Sequence, residues 1–386
     1  MAEKFIPLSV PNFAGREKDY VNDAVVSEWV STGGSLVGDF ESRIAAYVGM
    51  PAAVACNSGT SGLHLANLAA GIGRGDEVLA PALTFIAAVN PIRYVGAEPV
   101  FIGCDDSLCM DPAAAEAFLR DHCEMRGGRC INRRTGAHVK AIVVVHVFGN
   151  MADIPAFEKL ARRYHLTLIE DATEALGTRY TAGPHAGRMA GTMGDIGVYS
   201  FNGNKIVTTG AGGMLVSNHP DWTAHAKYLS TQAKDDLLQF IHGEVGYNYR
   251  LTNVQAAMGL AQLEQLEGFI AHKTEMYEYY RDRLDGKNGY RILGFREGVR
   301  SNHWFYSLYL EDARHDRDAV IAALSDQKIQ TRPVWALINE QKPYLASEAY
   351  GLDKARDYRA RIVNLPCSTN LTKADADRVI AALLAL

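Results

Sequence analysis

From Ala53 to Val216 the chain alternates short apolar runs with helical stretches. The runs are Ala53 to Cys56, Glu77 to Ala80, Pro99 to Ile102, Ala141 to Val145, Leu166 to Ile169, Val198 to Phe201 and Gly213 to Val216. All have strand length. Helical stretches lie between them, at Leu63 to Ala70 and Phe85 to Tyr94. Strands that alternate with helices predict the α/β class, with a mostly parallel central sheet and helices on both faces.

A chain of 386 residues is long for one compact unit, so a large domain and a smaller one are expected. The pattern changes after Gly246. We place the large α/β domain at residues 1–250 and a smaller C-terminal α+β domain at 251–386. Before the first strand, helices are expected over residues 16 to 31, with Val21, Val25 and Trp29 at helical spacing, and from Phe40 to Val48, ending at Gly49. The small domain holds helices at Leu251 to Glu267, His272 to Leu284, Arg317 to Leu324 and Ala374 to Leu386, and a strand at Trp304 to Leu310. Residues 121 to 139, rich in Arg and Gly, interrupt the α/β rhythm and read as an inserted surface loop or hairpin.

The formal net charge is -5, which argues against a nucleic-acid binder. The six cysteines are scattered and form no CxxC pair, so reduced thiols and no metal site are expected. No apolar stretch has the length of a signal peptide or a membrane span, and a cytoplasmic location without membrane attachment is the expectation.

Four segments carry chemistry. Ser58-Gly59-Thr60-Ser61-Gly62 follows a strand and opens a helix. Glycine lets a ligand approach the backbone, and free N–H groups at a helix start suit a phosphate. Leu166 to Ala172 is an apolar strand that ends in Glu170 and Asp171, at the strand end where α/β sheets bind ligands. A carboxylate buried there needs a cationic partner, although Asp171 could equally cap a helix over Ala172 to Leu176. Lys205 sits in a Gly/Asn-rich turn after Ser200-Phe201, and lysine is the residue that forms Schiff bases with carbonyls. Gly246 to Asn253 places polar and aromatic residues before a helix, with Thr252 or Asn253 as its cap.

Separately each segment has a simpler reading as a turn, a cap or a solvated loop. Together they supply what pyridoxal 5′-phosphate (PLP) requires: a phosphate cradle, an acid for the ring nitrogen and a lysine for the aldehyde.

The motifs ACNSGTSGLHLA, GDEVLAPALTFIAAVNPI, GAEPVFI, VHVFGN, IEDATEALG, GDIGVYSFNGNKIVTTGAGGM and GYNYRLTNVQAA resemble those of the DegT/DnrJ/EryC1/StrS sugar aminotransferases, within the fold-type I PLP enzymes. The resemblance runs from Pro7 to about residue 380. It implies that Lys205 carries the cofactor covalently and that Asp171 pairs with its ring nitrogen. It implies that Gly59, Thr60, Ser61 and Ser200 bind its phosphate and that Phe85 stacks on its ring. Asn248 would reach the phosphate of a neighbouring subunit, so a homodimer with shared sites is implied. Glu174 stands near the cofactor's phenolic oxygen, where relatives often have Gln or His. Lys205 itself stands where the family's dehydratases have His, which points to transamination.

The segments GGRCINRRTGAHVKAI, QTRPVWALINEQKPY and NLPCSTNLT resemble the LegC-like subgroup. That implies glutamate as donor and a UDP-linked 2-acetamido-4-keto-2,6-dideoxy hexose as acceptor, on a bacillosamine or legionaminic acid type of pathway. A GDP-perosamine-type 4-aminotransferase is the alternative, and a non-catalytic sensor of the same fold is a further one. Arg250, His303 and Arg332 are candidates for contacts to the sugar nucleotide.

Overall fold

The computed structural model describes residues 4–236 and 238–386. Its central sheet has ten strands. Eight form one path: β1 Ala53–Cys56, β2 Asp76–Pro81, β3 Glu98–Ile102, β4 His138–Val145, β5 Thr167–Asp171, β6 Ile196–Ser200, β7 Gly213–Ser217 and β8 Ala349–Tyr350. Their spatial order is β1-β7-β6-β5-β4-β2-β3-β8. Every pair from β6 to β8 is parallel, and only β7 runs against its neighbours. β1 and β6 are both antiparallel to β7, so they point the same way. The carboxyl ends of β1, β5 and β6 therefore share one edge, although they are far apart in sequence. Ala141 to Val145 of β4 and all of β1 are buried, as expected for strands covered on both faces.

The close spacing of β5 and β6 depends on glycine. A Cβ at Gly197 would stand 1.9 Å from the carbonyl oxygen of Gly191, and one at Gly194 would stand 2.6 Å from that of Leu168. The loop before β6 thus wraps Glu170, which is fully buried. Its carboxylate accepts the N–H groups of Gly191, Met193 and Gly194 and the Nε2–H of His146. The N–H of Ala152 donates to His146 Nδ1, which fixes the proton on Nε2. Burial alone would raise the Glu170 pKa, but these donors hold it below the ordinary value.

Three elements differ from the sequence expectation. The first helix, α1, ends early, at Glu17–Val26. Val25 and Trp29 are exposed, and Glu17 and Ala24 face inward instead. The inward side lies on the helix Asn253–Leu263, where the side-chain amides of Gln262 and Gln265 both donate to Glu17 Oε1. The stretch Phe85 to Tyr94 is not one helix. It divides at Val89 into a 3-10 turn, Ile86–Ala88, and a short helix, Asn90–Tyr94, with Pro91 in its first turn. Proline has no N–H to continue the earlier turn. No helix forms over Ala172 to Leu176.

Residues 121 to 139 form a hairpin. Strands Cys123–Arg126 and Arg129–Asn132 meet at Gly127-Gly128, both at positive φ, as a tight hairpin turn requires. The second strand extends the sheet alongside β4 through Cys130 and Val139. Two of the hairpin's polar residues bond back to the body of the domain, while Arg126, Arg129, Arg133 and Arg134 are exposed. Asn132 Nδ2 donates to Glu77 Oε2 at 2.9 Å and to Glu348 Oε1 at 3.1 Å, and Thr135 donates to Glu77 Oε1 at 2.7 Å. All six cysteines are buried free thiols.

A second, antiparallel sheet of four strands has the order Tyr290–Ile292, Tyr306–Leu310, Ile362–Leu365, Arg332–Pro333. The chain passes between the two sheets at several points. β8 returns to pair with β3, Ile6 bridges to Ile329, and the N–H of Cys367 donates to Leu8 O. No helix among the described residues is long and apolar enough to cross a membrane.

Candidate active site

A cavity of about 370 Å³ opens where β1, β5 and β6 end. Its floor at one end is the start of the helix Gly59–Ala69. Ser58 caps this helix by accepting the Ser61 N–H at 3.0 Å. The first-turn N–H groups of Gly59 and Thr60 have no acceptor within the helix, and a helix start of this kind suits an anion. Gly59 is needed for the approach, because a Cβ there would stand 2.9 Å from Thr173 Cγ2 and 3.0 Å from Ser200 Cβ. Gly59, Thr60 and Ser200 all line the cavity. Ser61 does not; its hydroxyl donates to Asn57 Oδ1 at 2.6 Å and supports the turn from behind.

Asp171 and Lys205 face the middle of the same cavity. Asp171 accepts the Thr173 N–H at 3.0 Å. Burial pushes its pKa up, the Thr173 contacts and the charge of Lys205 pull the other way, and the upward shift wins. Lys205 lies in the turn after β6, where its N–H donates to Asn202 O. Its side chain is 12% exposed, with Nζ 3.9 Å from Glu174 Oε1 and 4.0 Å from the centre of the Trp304 ring. Burial lowers the lysine pKa against the opposing pull of Glu174 and Asp171, which favours the nucleophilic free amine. Glu174 is buried, and its Oε2 accepts the Phe148 N–H at 2.7 Å. Burial carries its pKa up to about 7.

The remaining wall is aromatic. Phe85 is half-exposed at the mouth, 6.4 Å from Trp335. Trp304 and Phe305 stack at 4.2 Å, and Trp304 Nε1 donates to Asn204 O. Thr84 lies beneath Phe85, and its hydroxyl is buried without a hydrogen-bond partner. An orphan hydroxyl in a cavity wall is a position for a ligand's polar group. Thr84, Trp304, Phe305 and Trp335 escaped the sequence reading. They come from distant segments, and only the Trp at 304 beside an apolar strand offered a local signal.

Four other candidates do not reach this cavity. His303 is buried between Tyr277 and Phe295 and bonds to Thr274. Its burial and the charge of Lys273 drive its pKa down to about 3, so it is neutral. Arg332 is exposed on the edge of the small sheet. Asn248 is exposed too, and Arg250 lines a separate polar cavity of about 280 Å³ with Lys227 and Lys234.

An anion cradle, a buried acid that lacks a full cationic partner, a lysine with a lowered pKa and an aromatic slot suit a phosphorylated heteroaromatic aldehyde. The comparisons with known proteins decide the family. The model of the DegT/DnrJ/EryC1/StrS aminotransferase family matches residues 11–384. The chain belongs to that family. It is a PLP-dependent sugar aminotransferase of the fold-type I architecture. The chain is 38% identical to the GDP-perosamine synthase of Caulobacter vibrioides, over 98% of this chain and 97% of that one. It is 35% identical to the putative PLP-dependent aminotransferase EpsN of Bacillus subtilis, over 99% and 96%. The crystal structure of the aminotransferase TlmJ from Streptoalloteichus hindustanus matches with a TM-score of 0.88 at 29% identity, over 98% of each chain.

Proposed function

We propose that this aminotransferase moves an amino group from glutamate to C4 of a GDP-linked 4-keto-6-deoxy hexose, a reaction of the perosamine type. The observation that carries the reaction class is the convergence of Lys205, Asp171 and the start of the helix Gly59–Ala69 in one cavity. Likeness to a GDP-perosamine synthase across nearly all of both chains supports the acceptor.

PLP, when bound, supplies an electron sink that lets an amino group leave one carbon and join another. The chain's own residues do the rest. Gly59, Thr60 and Ser200 hold the phosphate. Asp171 keeps a proton on the ring nitrogen, because a cation there relieves its own burial. Phe85 covers the ring face. Lys205 Nζ, once its amine is free, would take the proton from the donor's Cα and return it across the transferred nitrogen. Trp304 and Phe305 exclude water on the side of the small sheet. The aromatic wall also suits a deoxy sugar, whose methyl group and C–H faces are apolar.

The test offers the enzyme glutamate with matched GDP- and UDP-linked 4-keto-6-deoxy sugars, including the UDP-linked 2-acetamido sugar. Mass spectrometry then reports which one exchanges its ketone for an amine. A preference of at least about tenfold in kcat/KM for the GDP-linked sugar is expected, worth about 1.4 kcal/mol. Faster amination of the UDP-linked 2-acetamido sugar would replace this acceptor with the LegC-like one that the hairpin segment resembles.

The active unit in this reading is a homodimer in which Asn248 completes the partner's phosphate site. Two features support it. Asn248 and Arg250 lie outside their own chain's cavity. Leu238, Phe240, Ile241 and Val245 project as a cluster of exposed apolar side chains on the segment before them, a patch of the kind that marks an interface. Lys205→Ala and Asn248→Ala chains, each nearly inactive, are expected to regain about one quarter of the wild-type activity when mixed and exchanged. Half of the dimers are then hybrids with one intact site each. A mixture no more active than its parts means that each site is built from one chain.

A further inference from the structure

The cavity contains a second carboxyl group whose neighbours give it a role apart from holding the fold. Glu174 points one oxygen at a fixed donor, the Phe148 N–H, and the other at Lys205 Nζ, 3.9 Å away. Phe148 holds a left-handed backbone conformation, φ 55°, which aims that N–H. Asn302 Nδ2 bonds the Glu174 carbonyl from the small-sheet side, so the segment is held on both flanks. The charged and titratable groups that bear on Glu174 are Lys205 from the turn after β6 and Asp171 from the end of β5. His146, at the end of β4, bears on Asp171 but is tied to Glu170. Lys205 is therefore the only cation among these that can exchange a proton with Glu174 without leaving the cavity.

We propose that Glu174 is the proton partner of Lys205, taking the ammonium proton when the lysine is joined to the cofactor and returning it when the lysine is released. This deepens the assignment of Lys205 as the cofactor lysine and rests on it. With the lysine free, the pair is an ammonium and a carboxylate. On joining, one N–H bond breaks and one O–H bond forms on Glu174 Oε1. The two hydrogens left on nitrogen depart with the aldehyde oxygen as water. Both ends finish without an uncompensated charge, and no proton passes to solvent. The Trp304 ring packs against Nζ at 4.0 Å, beside the Glu174 oxygen that receives the proton.

The electrostatics agree in sign. Burial raises the Glu174 pKa to about 7 although Lys205 pulls it down. Removing the lysine charge removes that pull, so the carboxyl is a neutral acid at neutral pH once the lysine is joined. Asp171, whose partner is the ring nitrogen, moves the opposite way when the cofactor binds.

Difference infrared spectroscopy of cofactor-loaded minus cofactor-free protein reads this directly. A carbonyl stretch from a neutral carboxylic acid, shifted by deuterium exchange, is expected to emerge on loading at pH 7. It is expected to be lost in E174Q and to fade as pH is raised well above 7. Isotopic carbon labelling of the glutamate residues is expected to shift it in the wild-type protein, so the assignment does not depend on the variant folding. No such band, a band already present before loading, or a band untouched by the glutamate label and hence from Asp171, overturns the proposal. Borohydride trapping separates this from the parent reading. Cofactor trapped on Lys205 without the band overturns only the role of Glu174. No trapping at Lys205 overturns both.

Discussion

Lys205→Ala is expected to reduce amino transfer below about one part in 10⁴ of the wild-type kcat while leaving the melting temperature of the cofactor-free protein nearly unchanged. A positioned acid–base group contributes up to about 10⁴-fold on its own, and this lysine also provides the covalent anchor. Stability is spared because the fold uses only the backbone of the turn at residue 205, whose N–H donates to Asn202 O. The side chain contacts Glu174 at 3.9 Å and the Trp304 ring, and without the lysine charge Glu174 takes up a proton instead of standing as an unpaired buried carboxylate. Lys205→Arg is no substitute, because a guanidinium does not lose its proton in this range. Borohydride reduction followed by peptide mapping provides the control. Lys273 is also buried with a lowered pKa, but its ammonium is spent on Cys367 O and the Tyr306 ring. Trapping at Lys273, or turnover that survives in Lys205→Ala, would end the assignment.

Much of the sheet was legible in the sequence, for a reason that Ala53 to Cys56 and Ala141 to Val145 illustrate. A strand buried on both faces must be apolar throughout, so burial and sequence carry the same signal. Lys205 and Asp171, which line one cavity, could be singled out because turn chemistry and strand ends mark them locally. The failures share a different cause. Val25 and Trp29 have helical spacing, yet the face of α1 that turns inward carries Glu17, whose charge is met by two glutamines from residues 262 and 265. Nothing near residue 17 announces those partners. The Arg/Gly-rich stretch, read as a surface loop or hairpin, does form a largely exposed hairpin, because Gly127-Gly128 marks its turn locally. What it did not announce is that Asn132 and Thr135 bond Glu77 on β2.

The same limit explains the site residues. Gly59, Thr60, Ser200 and Asp171 converge because the strand order sets the ends of β1, β5 and β6 side by side, and motif spacing hints at that order. Thr84, Trp304 and Trp335 belong to the cavity only because the second sheet packs against the first. His303 shows the converse. It is the neighbour of Trp304 in sequence, but it points into the Tyr277 and Phe295 cluster. His303 holds a left-handed backbone conformation, φ 52°, which turns its side chain away from that of Trp304.

Asp171→Asn should separate catalysis from stability, and its two effects have opposite signs. Amino transfer is expected to fall by about 10² to 10³-fold, the range seen when one preorganised electrostatic group is removed from a reaction centre. The cofactor-free protein is expected to become more stable at pH 8 and no more stable at pH 4. Burial raises the Asp171 pKa above its ordinary value. At pH 4 and below, the folded chain keeps this carboxyl neutral at little cost. As pH rises, the unfolded chain releases the proton first while the folded chain retains it, so wild-type stability declines through the raised pKa. Asparagine has no proton to lose, and its side-chain oxygen still accepts the Thr173 N–H that Asp171 accepts at 3.0 Å. The gain in melting temperature should therefore grow from pH 4 to pH 8 in cofactor-free protein. It should shrink or reverse when PLP is added, because only the carboxylate gains a cationic partner. A variant that keeps full kcat, or a gain in stability that ignores pH, would mean that Asp171 is not the acid holding the ring nitrogen's proton.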